Sequence, residues 1–140
     1  MDIKSNGKKA KIAIIDDEKG LVELLKEFLE GRDFLVNVAY DGRSGLELIR
    51  REKPDLVILD VVMPNMDGRD VLIELKKNKD TKDIPVIMLT VRYELFERDY
   101  GLELGADLYI PKPYDAGLLL GHIIVLLDKK KDKSRSSKNS

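Results

Sequence analysis

Five short apolar runs, alternating with stretches of helical spacing, limit what this chain can fold into more than any other feature. The runs fall at residues 11–15, 34–39, 56–59, 86–89 and 108–110. Each is brief, mostly aliphatic and bounded by polar or turn-forming residues, as strands buried inside a sheet are. Between them the apolar period changes to that of a helix. Leu21, Leu24, Leu25, Phe28 and Leu29 stand at i, i+3, i+4, i+7 and i+8 in a helix expected over 20–30, which Gly31 ends. Further helices are expected over 43–51, 68–78 and 93–104, and over a last segment that Asp115 caps and that runs to about 127. Strands alternating with helices of this length call for βαβ units and a parallel sheet covered on both faces.

Three of the runs end on residues able to do chemistry. Ile12-Ala13-Ile14-Ile15 ends in Asp16-Asp17, Leu56-Val57-Ile58-Leu59 in Asp60, and Val86-Ile87-Met88-Leu89 in Thr90. Lys112 lies just beyond the fifth run. In open α/β sheets, ligands bind outside the carboxyl ends of the strands. Taken singly, Asp16-Asp17 reads equally well as an N-cap pair, Thr90 as a cap and Lys112 as a surface charge. Four strand ends together supply one constellation.

Three carboxylates on one sheet edge repel each other, and a hard divalent cation relieves this. Mg²⁺ takes oxygen ligands, keeps several waters and suits one or two carboxylates plus a carbonyl. Asp60 could then attack phosphorus and become an aspartyl phosphate. Lys112 could pair with the phosphoryl oxygens and Thr90 could donate to one of them. Phosphoryl transfer asks mostly for such positioning and charge stabilisation.

Composition closes other routes. The chain has 140 residues, one domain's worth, and a net charge of −1, which gives it no overall bias toward nucleic acid or anionic membranes. It has no cysteine and one histidine, so disulfides, thiol chemistry and multi-histidine zinc sites are excluded. No apolar run approaches the length of a membrane span, and no apolar stretch of a secretion signal opens the chain, so a soluble, cytoplasmic protein is expected. Residues 1–9 and 129–140 read as polar, disordered ends around a domain at 10–128.

The chain resembles the receiver domains of bacterial two-component response regulators, the chemotaxis-type single-domain receivers among them. The matching pieces are Ile14-Ile15-Asp16-Asp17-Glu18, Leu59-Asp60-Val61-Val62-Met63-Pro64-Asn65-Met66-Asp67-Gly68, Ile84-Pro85-Val86-Ile87-Met88-Leu89-Thr90, Gly105-Ala106-Asp107 and Tyr109-Ile110-Pro111-Lys112-Pro113-Tyr114. The resemblance implies a flavodoxin-like doubly wound sheet of five parallel strands, order 2-1-3-4-5, with five helices. It implies Asp60 as phosphoacceptor and Asp17 as a direct Mg²⁺ ligand, with Mn²⁺ as a substitute metal. Asp16 would act through water, and Val62 would offer its backbone carbonyl. Thr90 is implied as the switch hydroxyl, Lys112 as the phosphate-binding lysine and Tyr109 as the aromatic that follows Thr90 inward. A cis peptide is implied at Lys112-Pro113. The implied function is a phosphorylation-activated switch, not an enzyme beyond its own phosphorylation and dephosphorylation. Its phosphoryl donor is a histidine kinase or a histidine phosphotransfer protein, met through the first helix near Gly20, Leu21 and Leu24. The output face is the fourth helix, fifth strand and fifth helix, with no direct nucleic-acid or membrane contact.

Some positions depart from the family's habit. Val62 stands where relatives often carry a polar side chain, and Val91 is bulkier than the usual small residue after the switch hydroxyl. The last helix is apolar nearly all round, through Leu118-Leu119-Leu120 and Ile123-Ile124-Val125-Leu126-Leu127, and so is expected to be buried on more than one side. Leu118, Ile124 and His122 would serve a homodimer or an output partner. An aspartate-nucleophile phosphatase of the haloacid dehalogenase type would need a second acid two residues past Asp60, where Val62 stands. A flavodoxin-like FMN carrier would need a Ser/Thr/Gly phosphate loop where Asp16-Asp17-Glu18 stands. A receiver cut from a hybrid kinase or a longer regulator reads the same as a free-standing one.

Overall fold

The computed structural model describes residues 4, 5, 7–91 and 105–139. Five parallel strands form the sheet: β1 (Lys11–Ile15), β2 (Leu35–Ala39), β3 (Leu56–Asp60), β4 (Val86–Thr90) and β5 (Leu108–Pro111). Their spatial order is β2-β1-β3-β4-β5. The reversal of winding thus falls between β1 and β3, the neighbours that carry Asp16 and Asp60 at their carboxyl ends.

Alternate residues of each strand enter two separate cores. Ala13, Ile15, Val57, Leu59, Val86 and Met88 meet α2 (Gly42–Glu52) and α3 (Gly68–Lys77) through Leu46, Ile49, Val71, Leu72 and Leu75. On the other face Ile12, Ile14, Leu56, Ile58, Ile87 and Leu89 meet α1 (Lys19–Glu30) and the C-terminal helix (Ala116–Asn139). Every residue of β3 is buried, which is why its sequence shows no polar alternation. Covering both faces leaves the strand ends as the place where polar groups can gather.

The opposite, amino-terminal edge is pinned by two aspartates. Asp55 donates its backbone N–H to the Lys11 carbonyl at 2.8 Å, while its Oδ2 accepts the Lys11 N–H at 2.7 Å. Asp107 repeats this with Val86, at 2.9 and 2.8 Å. Each pair joins the residue before a strand to the start of its neighbour, fixing register where the ladder begins.

Two stretches differ from the sequence expectation. Within the amino-terminal segment read as disordered, Lys4–Ser5 pairs antiparallel with Lys8–Lys9 around Gly7 at φ 76. The C-terminal helix does not stop near residue 127 but continues to Asn139. After Gly121 the sequence contains neither glycine nor proline, and its lysines and arginine are good helix formers, so nothing local ends the helix. Nor is this helix buried on several sides. Among its residues with described side chains, the buried ones are Leu119, Ile123 and Leu127, a single stripe at i, i+4, i+8, while Leu118 is 70% and Val125 52% exposed. The helix expected over 93–104 lies outside the described residues. As expected, Asp115 caps the last helix, its Oδ1 accepting the Leu118 N–H at 3.0 Å, and Lys112-Pro113 is cis.

Candidate functional site

The site forms at the carboxyl ends of β1, β3, β4 and β5. Asp16 follows β1 and is held there by its own N–H, which donates to the Ala39 carbonyl at 3.1 Å. Asp60 is the last residue of β3, and the chain leaving it is fixed in turn: the Val61 N–H donates to the Leu89 carbonyl at 2.9 Å. Beyond the loop, the Gly68 N–H returns to the Val61 carbonyl at 2.8 Å, bringing the start of α3 against the acidic edge. A Cβ at Gly68 would stand 2.2 Å from the Asp60 carbonyl oxygen, so only glycine allows this approach. Asp67 fixes the entry to α3, accepting the Arg69 and Asp70 N–H groups, while Asp70 accepts the Asp67 N–H. That reciprocal capping box was written in the sequence as two aspartates three apart, and the sequence reading missed it.

Asp16 and Asp60 are buried, and Asp17 beside them is exposed. Carboxylate oxygens of all three lie within 4.8 Å of one another. The lysine expected from the fifth strand arrives where the sequence placed it. The Lys112 N–H donates to the Thr90 carbonyl at 2.9 Å, which aims its side chain across the edge. Its Nζ lies 2.7 Å from Asp16 Oδ2, 2.9 Å from Glu18 Oε1 and 3.6 Å from Asp60 Oδ1. The Lys112 side chain is only 4% exposed, so its contacts with the buried Asp16 and Asp60 act with little screening, while Glu18 is half open to solvent.

Asp16 binds in two directions. Oδ1 accepts the Glu18 N–H at 3.0 Å while Oδ2 faces the lysine. The contact of Glu18 with Lys112 was not foreseen, because 94 residues separate the two and only the third consecutive acid hinted at it. Burial first, and then the Asp16 charge, push the Asp60 carboxyl up to about 7, against the pull of Lys112. For Lys112 burial acts to lower the ammonium, but the bonds from Asp16 and Glu18 and the charge of Asp60 outweigh it, so its pKa is raised.

Thr90 ends β4 fully buried. Tyr109 is half-buried on β5, in register with Met88, and packs on the core shared with α2 and α3. Val62 and Val91 are 42% and 58% exposed at the same sheet edge. Asp16, Asp17, Asp60, Val62, Thr90, Val91 and Lys112 therefore lie on or beside one edge, with Tyr109 further down β5, and Lys112 contacts Asp16 and Asp60 directly.

The donor set fits a hard cation: three carboxylates on converging strand ends, one of them open to water. Asp60, a buried carboxyl, also has the Lys112 ammonium 3.6 Å away, so charge developing beside it would meet a fixed cation.

Residues 12–124 match the family described as the response regulator receiver domain. Among curated proteins, the transcriptional regulatory protein CpxR of Escherichia coli (strain K12) is 45% identical over 117 residues, which are 84% of this chain and 49% of that protein. The chain spans about half the length of the curated relatives it matches. Among solved structures, a CheY-like response regulator receiver domain protein from Methanospirillum hungatei superposes with a TM-score of 0.82 at 28% identity, covering 90% of this chain and 99% of that one. The receiver domain of a signal transduction histidine kinase from Syntrophus aciditrophicus does so at 0.77 and 35% identity, covering 86% and 91%.

Proposed function

Since the chain belongs to the response regulator receiver domain family, we propose that it is a phosphorylation-operated switch that takes its phosphoryl group on Asp60. The observation that carries this reading is the meeting of Asp60, Asp16 and Lys112 within hydrogen-bonding and ion-pairing reach at one sheet edge. The donor is a phosphohistidine of a histidine kinase or phosphotransfer protein. An Asp60 carboxylate oxygen bonds to phosphorus, the P–N bond breaks, and the imidazole leaves with the electron pair. Asp17, Asp60 and the Val62 carbonyl would hold Mg²⁺, with Asp16 acting through water, and the bound ion would supply the positive charge that lets anionic donor and anionic acceptor approach. Lys112 offers its ammonium to the phosphoryl oxygens that develop charge, and Thr90 donates its hydroxyl to another.

The same reading makes the chain a regulator with no substrate besides its own phosphoryl group, working in the cytoplasm, with residues 10–128 as the receiver unit. Among the described residues no helix is long and apolar enough to cross a membrane. Once Asp60 carries the phosphoryl dianion, Thr90 is drawn toward it and Tyr109, on the neighbouring strand, moves into the space given up. The change reaches a partner through β5 and the C-terminal helix, where Leu118 and His122 are exposed and Ile124 half-buried. A second copy of the chain is the occupant proposed for that surface, since self-complementary pairs are the commonest assemblies.

Acetyl phosphate with Mg²⁺ tests the central step. One base-labile phosphoryl group per chain is expected, and none on Asp60→Asn. Equal labelling of the variant would overturn the assignment.

A further inference from the structure

Glu18 has no part in the proposal above, yet it takes one of the two short contacts of the Lys112 ammonium. Its side chain makes no cap bond at the start of α1, although it occupies the N-cap position. What it does instead is reach across to Lys112 at 2.9 Å, from a side chain that is 50% exposed. The other two carboxylates on Lys112 are almost completely buried. We propose that Glu18 is a positioning residue that holds Lys112 in the unphosphorylated state and hands it over when Asp60 is phosphorylated. This rests on the receiver reading and adds a control to it.

Two of the three N–H donors of the ammonium are engaged at hydrogen-bonding distance, by Asp16 and Glu18, while Asp60 stands at 3.6 Å, in ion-pairing range only. A phosphoryl group on Asp60 places its charge on terminal oxygens beyond the carboxyl, so the ammonium must shift toward them and one of the two short contacts must lengthen. Releasing Asp16 would strand a buried charge, which is costly. Releasing Glu18 returns a half-exposed carboxylate to water, where little is lost. Its removal also moves a negative charge away from an incoming dianion. Glu18 is therefore the ligand that gives way, and its grip on Lys112 opposes phosphoryl binding until then.

The test uses the whole chain with saturating Mg²⁺, with beryllofluoride as the phosphoryl mimic and the amide spectrum of Thr90 as the reporter. Acetyl phosphate labelling of the parent at Asp60 is measured first. Absence of label there overturns the receiver reading, and the latch with it. With label present, Glu18→Gln should lower the half-saturating beryllofluoride concentration about two- to fivefold, the size expected for a partly exposed ion pair. Glu18→Asp keeps the charge but is one methylene too short for Lys112, and should tighten binding in the same direction. Both variants should shift the Lys112 Nζ resonance of the free protein. If only Glu18→Gln tightens binding, local charge alone acts and the latch is overturned. Unchanged or weaker binding in both variants overturns it too, with thermal melts showing that both are folded.

Discussion

Asp60 shows how one carboxyl can work against its own fold. Its ordinary value of 3.8 is raised to about 7 by burial and by Asp16. A raised carboxyl holds its proton in the folded state longer than in the unfolded one. Its contribution to stability is therefore complete below the unfolded value and lost as pH rises through the folded one. Without metal, stability should fall between about pH 4 and 7 on account of this residue. Asp60→Asn removes the charge and keeps the shape, so at pH near 7.5 in EDTA it should be more stable than the parent by about 1–3 kcal/mol. That gain should shrink toward pH 4, and saturating Mg²⁺ should reverse or erase it. Urea melts at two pH values check this, and a pH-independent gain would show the burial argument to be wrong. Asp16, Asp60 and Thr90 could be picked out of the sequence because each follows directly on an apolar run, and Asp17 and Lys112 because each stands one residue further on. Glu18 was not, because its role depends on a contact that only folding creates.

Among the elements, β3 was the easiest to read. Four consecutive aliphatic residues, all at 0% exposure, fit only a central strand. Its neighbours were read nearly as well, and their order followed from the resemblance, not from the residues. Less visible were the devices that fix register. Asp107 carries no sequence mark of its pairing with Val86. Asp107→Ala should leave the buried Val86 N–H without that acceptor and cost about 1–2 kcal/mol in denaturant unfolding. Asp107→Asn keeps an acceptor oxygen and should restore most of it. If alanine and asparagine behave alike, the clamp contributes nothing. The last helix was misjudged for a related reason. A sequence of Leu, Ile and Val tells that a helix is apolar, but not how many sides the rest of the fold covers. The sheet covers one stripe of it. Its extension past 127 was hidden because the stretch has no apolar residue, and apolar spacing was the only guide in use.

For the molecule as a whole, the uncovered side of that helix has a consequence in solution. Leu118 at 70% and Val125 at 52% exposure give it an apolar surface that a second copy would cover. Sedimentation of the beryllofluoride-bound chain should show association, and Leu118→Glu should return it to monomer. A monomer before and after the ligand would remove the second copy as partner. The body itself is asymmetric from floor to roof. At its floor, reciprocal pairs at Lys11–Asp55 and Val86–Asp107 tie adjacent strands before the ladders begin. At its roof, like charges crowd around one lysine. Such a sheet should open from one side only. Amide hydrogen exchange without metal should be slowest at Ile12, Val57 and Ile87, and should quicken step by step along each strand toward Ile15, Asp60 and Thr90. Cation or phosphoryl mimic should slow the fast end and leave the slow end as it was. On the switch reading, the domain would transmit its signal through the half of the sheet that its own charges loosen.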